Sequence, residues 1–169
     1  MDGDFKLFES RAIARYLATK YQIEGIPQLM PKDLEQAAHV DQYISMEYSY
    51  WDPGFSGYVW KELFKKYHAG IEPDVEKVKE YQDKITQTLD VYEKLLEGKA
   101  YLVGDHLTVA DIVHLPYGYF YSLASGSPSL EDLSRPNVAR WWKNISTQKF
   151  WQEAFPHGYL ANITGNGSK

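Results

Sequence analysis

The chain has 169 residues, 44% hydrophobic and 24% charged, enough for one full domain with a real core plus a fragment of a second. Its net charge of -5 excludes the basic footprint that a phosphate backbone requires, so nucleic acid is not an expected partner despite 14 Tyr and 5 Trp available for stacking. With no cysteine, the residues present offer no disulfide, zinc–thiolate centre or cysteine nucleophile.

The opening MDGDFKLFES carries three acids and no apolar stretch of the kind a secretion signal has. No apolar run nears the roughly 18 residues that span a bilayer. The expectation is a cytoplasmic protein without a membrane partner, with the sequons at Asn144 and Asn162 unmodified. Asp2-Gly3 is a turn dipeptide, and Phe5-Lys6-Leu7-Phe8 suits a strand. A tight turn there predicts a partner strand ahead of it, outside the residues present.

From Ser10 the pattern turns helical. Ser10 suits an N-cap, and Ala12, Ile13, Tyr16, Leu17 and Tyr21 recur at three- and four-residue steps. Gly25, Pro27 and Pro31 mark a linker. Asp33 can cap a long helix towards Lys66, which proline should kink or break at Asp52-Pro53-Gly54. Pro73-Asp74 opens another, with the stripe Val75, Val78, Tyr81, Ile85, Leu89, Tyr92, Leu96 and an end at Gly98. A third is predicted from Thr108 past Pro116 to Leu123. A polar loop follows over 125–134, then helices near 137–145 and 148–155. These readings give a mainly helical chain with an organisation of 1–26, 32–157 and a polar tail over 158–169.

Glu9-Ser10 carries two readings. A serine at a helix start beside an acid can hold an α-amino acid head group, its carboxylate at the helix amides and its ammonium at Glu9. Equally, Ser10 is an ordinary N-cap and Glu9 a solvated acid, and spacing does not decide. Thr108-Val109-Ala110-Asp111 is a capping-box variant with a structural role. His114 lies three residues beyond Asp111, but two ligands make no metal site, and His39, His68, His106 and His157 lack metal-like spacing. Trp51, Phe55, Tyr58 and Trp60 form one aromatic cluster, and Tyr117, Tyr119, Phe120 and Tyr121 a second. Each reads either as core or as the lining of an apolar cleft with polar points. Arg140-Trp141-Trp142-Lys143 reads as core anchoring with a basic outer face.

The wording of residues 2–13, of Tyr101–Asp111, of His114–Tyr117 and of Arg135–Trp142 resembles the glutathione transferases, in their plant and fungal phi class, over nearly the whole chain from residue 2 to about 156. The resemblance implies a mainly α fold: the C-terminal helical bundle of that family, preceded by a strand and helix from a thioredoxin-like α/β domain. It implies conjugation of glutathione thiolate to hydrophobic electrophiles, with glutathione as co-substrate, no metal, and a homodimer through the helices after Ser10 and Asp33. A non-catalytic module binding hydrophobic ligands or a protein partner is the alternative. By position, Glu9 and Ser10 inherit the γ-glutamyl head group, with Arg11 beside them at the glutathione site, the surface or the dimer interface. Thr108 and Asp111 inherit a folding role. Trp51, Phe55, Tyr117 and Tyr121 fall where the family builds its hydrophobic-substrate pocket. The thiol-activating residue of the family matches no position here, so no catalytic residue is assigned within this chain.

Overall fold

The computed structural model describes residues 2–24, 28–64, 70–126 and 130–154. The end of the predicted helix at Lys66, the linker positions Gly25 and Pro27, the Asn162 sequon, His68, His157 and the tail lie outside the described residues. The described elements are helical: α1 Ser10–Lys20, α2 Leu34–Met46, α3 Asp52–Val59, α4 Val75–Leu95, α5 Val109–Ile112, α6 Leu115–Ser125, α7 Pro136–Ser146 and α8 Lys149–Ala154. Asp2 and Phe5 exchange backbone hydrogen bonds at 3.0 and 3.1 Å around Gly3. The predicted strand over Phe5–Phe8 is not formed. A strand needs a neighbour for its N–H and C=O groups, and none lies beside it among the described residues.

Local chemistry sets several helix starts. The carboxylate of Asp33 accepts from the Gln36 N–H at 3.0 Å, and that of Asp74 from the Lys77 N–H at 3.2 Å, each satisfying one of the unpaired first-turn donors. Pro53 does not break the helix that Asp33 begins. Helical bonding runs from Leu34 to Phe64 through two π segments, Glu47–Trp51 and Trp60–Phe64, that flank α3. In the first, the Asp52 N–H donates to the Glu47 carbonyl five residues back, a wider turn that gives the proline ring room. Pro116, by contrast, does end a helix. The run predicted from Thr108 to Leu123 divides at Val113-His114 into α5 and α6, because proline cannot donate and its ring would crowd the carbonyl four residues earlier.

The core forms where α3 meets α4 and α6. Two glycines let the helices approach: a Cβ on Gly57 would stand 2.2 Å from the Tyr81 ring, and one on Gly118 2.6 Å from Trp142. Trp51 stacks on Phe55 at 3.8 Å and meets Trp141 edge-on at 5.8 Å. Of the predicted stripe on α4, Ile85, Leu89, Tyr92 and Leu96 are buried, whereas Val75, the first residue of the helix, is 79% exposed.

Buried polar groups fix the packing. The Asp111 carboxylate, with no exposure, accepts from the N–H and hydroxyl of Thr108 (2.9 and 3.0 Å), the Leu102 N–H (2.9 Å) and the Trp141 indole (2.9 Å). Burial pushes its carboxyl up, against the pull of those donors. Glu93 of α4 caps α7, accepting from the N–H groups of Asn137 and Val138 at 3.0 Å. With Trp141 and Trp142 buried and Lys143 exposed, the run has the basic outer face expected of it, and Arg140 is exposed on that face. It donates to the Leu96 and Lys99 carbonyls at 2.9 and 2.7 Å, closing the C-terminus of α4.

His114 is fully buried beside Trp51 and Trp141. Its Nδ1 donates to the Ala110 carbonyl at 2.7 Å, and its Nε2 accepts from the Tyr92 hydroxyl at 2.9 Å, a pattern that requires the neutral ring. Burial lowers its pKa from 6.5 to about 3. The unfolded chain therefore takes up this proton near pH 6.5 and the folded one only near 3. Stability is full above 6.5 and falls as pH drops through that window, with a slope approaching about 1.4 kcal/mol per pH unit. Urea unfolding at pH 7.5, 6 and 5 is expected to show the loss. His114→Gln, less stable at pH 7.5, should flatten the slope between pH 6 and 5, and an unchanged slope in that variant would assign it elsewhere.

Candidate functional site

The described residue that departs furthest from ordinary backbone geometry is Glu9, at φ 70 and ψ 111. Among the described residues it alone, glycines aside, has a positive φ. Such a conformation costs on the order of 1–3 kcal/mol and persists where the surroundings hold it, commonly at ligand sites. It also settles how α1 begins. Glu9, not Ser10, is the N-cap, and no side chain caps the helix. Ser10 is the first helical residue, exposed, with no hydrogen-bond partner among the described residues for its hydroxyl. The ordinary N-cap reading of Ser10 is thus corrected. The first-turn N–H groups have no side-chain cap, at the positive end of an eleven-residue helix.

Arg11 turns the other way. Its Nε donates to Glu47, its Nη2 donates to Glu47 Oε1 at 2.9 Å, and Asp52 Oδ2 lies 3.4 Å from Nη2. Glu47 is 1% exposed. Burial pushes its carboxyl up, against the pull of Arg11, and the hydrogen bond to Glu47 raises the guanidinium in turn. One turn on, Arg15 grips Asp41 of α2 at 2.8 and 3.2 Å. These two arginines set the rotation of α1. Ala14 and Ala18 pack on the core, while Ala12, Leu17 and Tyr21 of the predicted apolar stripe are exposed.

The four residues assigned by resemblance to a hydrophobic-substrate pocket separate. Trp51 and Phe55 have no exposure and Tyr121 is 2% exposed. Packed against each other and against Trp141, they present no surface to a ligand and belong to the core. Tyr117 is half-buried, its phenol raised by burial and by the nearby Asp52 carboxylate. Thr108 and Asp111 are structural, as above. Both ring nitrogens of His114 are engaged, so it has no lone pair to give a metal.

Two concavities were not predicted. A groove of about 460 Å³ between the α2–α3 run and α4 is lined by Met46, Tyr50, Pro53, Thr88 and Val91. A second, of about 610 Å³, lies between α1 and α5, lined by Leu17, Ala18, Leu29 and Ile112. Along α1 the second is lined by Ala14, Leu17, Ala18 and Tyr21 at three- and four-residue steps, so periodicity marks a face there but not that the face borders a cavity. No described helix is long and apolar enough to cross a membrane.

The description "Glutathione S-transferase, C-terminal domain" matches residues 49–149. The glutathione S-transferase F11 of Arabidopsis thaliana is 43% identical over 152 residues, covering 90% of this chain and 70% of that protein. Glutathione S-transferase F10 of the same plant is 36% identical over 153 residues, with the same coverage. Among solved structures, glutathione transferase F2 from Populus trichocarpa superposes with a TM-score of 0.82 at 30% identity, over 99% of this chain and 74% of that one. The maize glutathione S-transferase I in complex with an atrazine glutathione conjugate superposes with a TM-score of 0.80 at 28% identity, over 99% of this chain and 73% of that one.

The strain at Glu9 is directly testable. Glycine occupies φ 70 without a side-chain clash, so Glu9→Gly is expected to raise unfolding stability by about 1 kcal/mol, the relief exceeding the added freedom of the unfolded chain. A loss of that size in a urea titration would mean that the backbone there is unstrained.

Proposed function

The chain belongs to the phi-class, or F-type, glutathione S-transferases, and on that premise we propose that Glu9 and Ser10 hold the γ-glutamyl head group of glutathione. The activity is transfer of glutathione to hydrophobic electrophiles. The sulfur attacks as thiolate after its proton has been lost, the S–C bond forms, and any leaving group departs with its electron pair. Glutathione is the co-substrate.

The observation that carries the site assignment is the uncapped start of α1 behind a strained Glu9. The head group offers an α-carboxylate and an α-ammonium. The carboxylate suits the free first-turn N–H groups and the Ser10 hydroxyl, where the helix dipole favours an anion. The ammonium suits the Glu9 carboxylate. The positive φ turns Glu9 off the helical path, so its side chain does not cap its own helix. Hydrogen bonds to charged groups are worth about 1.5–3 kcal/mol each. Arg11, committed to Glu47 and Asp52, acts beside this site without touching the ligand in our reading.

Homodimerisation is also part of this reading. The groove between the α2–α3 run and α4 carries exposed Tyr50 (63%) and Val91 (51%) at its rim, an apolar surface that a second copy can cover. We place the protein in the cytoplasm on the same family grounds.

Calorimetric titration of glutathione is expected to give saturable binding, weakened about tenfold by Ser10→Ala through loss of one charge-assisted bond of about 1.4 kcal/mol. Binding indifferent to Ser10→Ala would remove the head-group assignment. For the dimer, sedimentation is expected to give twice the chain mass, with Val91→Glu shifting the species to monomer. A wild-type monomer at micromolar concentration would sink that part.

A further inference from the structure

Helix α1 has no fully buried residue and meets the core through the partly buried Ala14 and Ala18, a turn or more beyond its start, so apolar burial does little to hold the strained backbone there. Two ion pairs to the α2–α3 run remain. The Arg15–Asp41 pair is about half exposed on both sides, at 48% and 46%, and pairs of that kind contribute little. Arg11–Glu47 differs: the carboxylate is 1% exposed and the guanidinium 22%, and the contact is bidentate. A buried carboxylate deprived of such a partner is strongly unfavourable, so the pair holds its geometry firmly.

The first π segment explains how that carboxylate reaches Arg11. In a regular α-helix, residues five apart point about 140° away from each other around the axis. The wider π turn, closed by the bond from the Asp52 N–H to the Glu47 carbonyl, brings positions 47 and 52 round to one side. Both carboxylates then meet the Arg11 guanidinium, Glu47 Oε1 at 2.9 Å and Asp52 Oδ2 at 3.4 Å. The other oxygen of Asp52 is buried without a hydrogen-bond partner. Its side chain is therefore placed by this arrangement, not by bonds of its own.

We propose that Glu47 is a positioning residue for glutathione binding. Acting through Arg11, it fixes the first turn of α1 and thereby the strained Glu9 and the Ser10 amide that receive the head group. The proposal rests on the reading of Glu9 and Ser10 given above. Glu47 itself does not touch glutathione. The bond from the Ile13 N–H to the Glu9 carbonyl, 2.9 Å, reports whether that turn is held.

The experiment compares wild type, Glu47→Gln, Arg11→Lys and, as a control on the same helix pair, Asp41→Asn. Amide hydrogen exchange at Ile13 without ligand is expected to quicken at least tenfold in Glu47→Gln and to be unchanged in Asp41→Asn. Glutathione affinity by calorimetry should fall at least tenfold in Glu47→Gln, with retained core tryptophan fluorescence showing that the bundle is folded. Arg11→Lys, which keeps the charge but loses the fork, should fall between; it decides the question if Glu47→Gln does not fold. Affinity lowered by Ser10→Ala but indifferent to Glu47→Gln and Arg11→Lys would overturn this proposal alone. Ile13 exchange unmoved in either variant would do the same. A wild-type chain that takes up no glutathione would overturn the head-group reading and this proposal together.

Discussion

The fully buried carboxylate of Asp111 is the point on which the bundle is assembled. An unpaired carboxylate in that position would cost several kcal/mol, and its four donors come from three separate places: the start of α5, the backbone at Leu102 and the indole of Trp141 in α7. Each donor must arrive for the charge to be tolerated, so the carboxylate selects one arrangement of those segments over looser apolar packings. Trp141, once placed, defines the wall against which Trp51 and His114 pack, and Trp51 in turn positions α3 beneath α6. The apolar residues supply most of the stabilisation, and the buried polar group decides which packing they adopt.

What was legible in the sequence follows the range of the interaction. Asp33, Asp74 and the Thr108–Asp111 pair act on backbone groups three residues away, and capping signals of that reach can be read directly. Glu93 caps a helix 44 residues further on, and no local pattern could announce it. The same applies to α1. Periodicity chose the face of Ala12 and Leu17, but arginines reaching acids 26 and 36 residues away turned the helix to its actual face. Proline at 53 and at 116 illustrates a different limit. Both lack a donor, yet one is absorbed by a π turn and the other divides a helix, a choice set by the packing around each.

The site was legible as chemistry but not as geometry. Glu9 and Ser10 are residue types that suit an amino-acid head group, and that pair also carries the resemblance to glutathione transferases. The backbone at φ 70 has no signature in residue identity, since glycine or asparagine would be the usual occupant. The aromatic residues fared less well. Trp51, Phe55 and Tyr121 have the composition of a ligand wall, and their burial is decided by glycines at 54, 57 and 118 that let the helices close over them.

The attachment of α1 has a consequence for how the protein comes apart. A helix fastened more by charge than by buried apolar surface answers to ionic strength, to which hydrophobic cores respond little or in the opposite sense. The two fasteners are screened unequally, since Arg15–Asp41 stands in solvent while Arg11–Glu47 is largely shielded. Rising salt therefore peels α1 from its C-terminal half towards Ser10, leaving the first turn seated after the rest has loosened. The opening is local, well below the free energy of global unfolding, and its last anchored point is the turn that follows the strained Glu9.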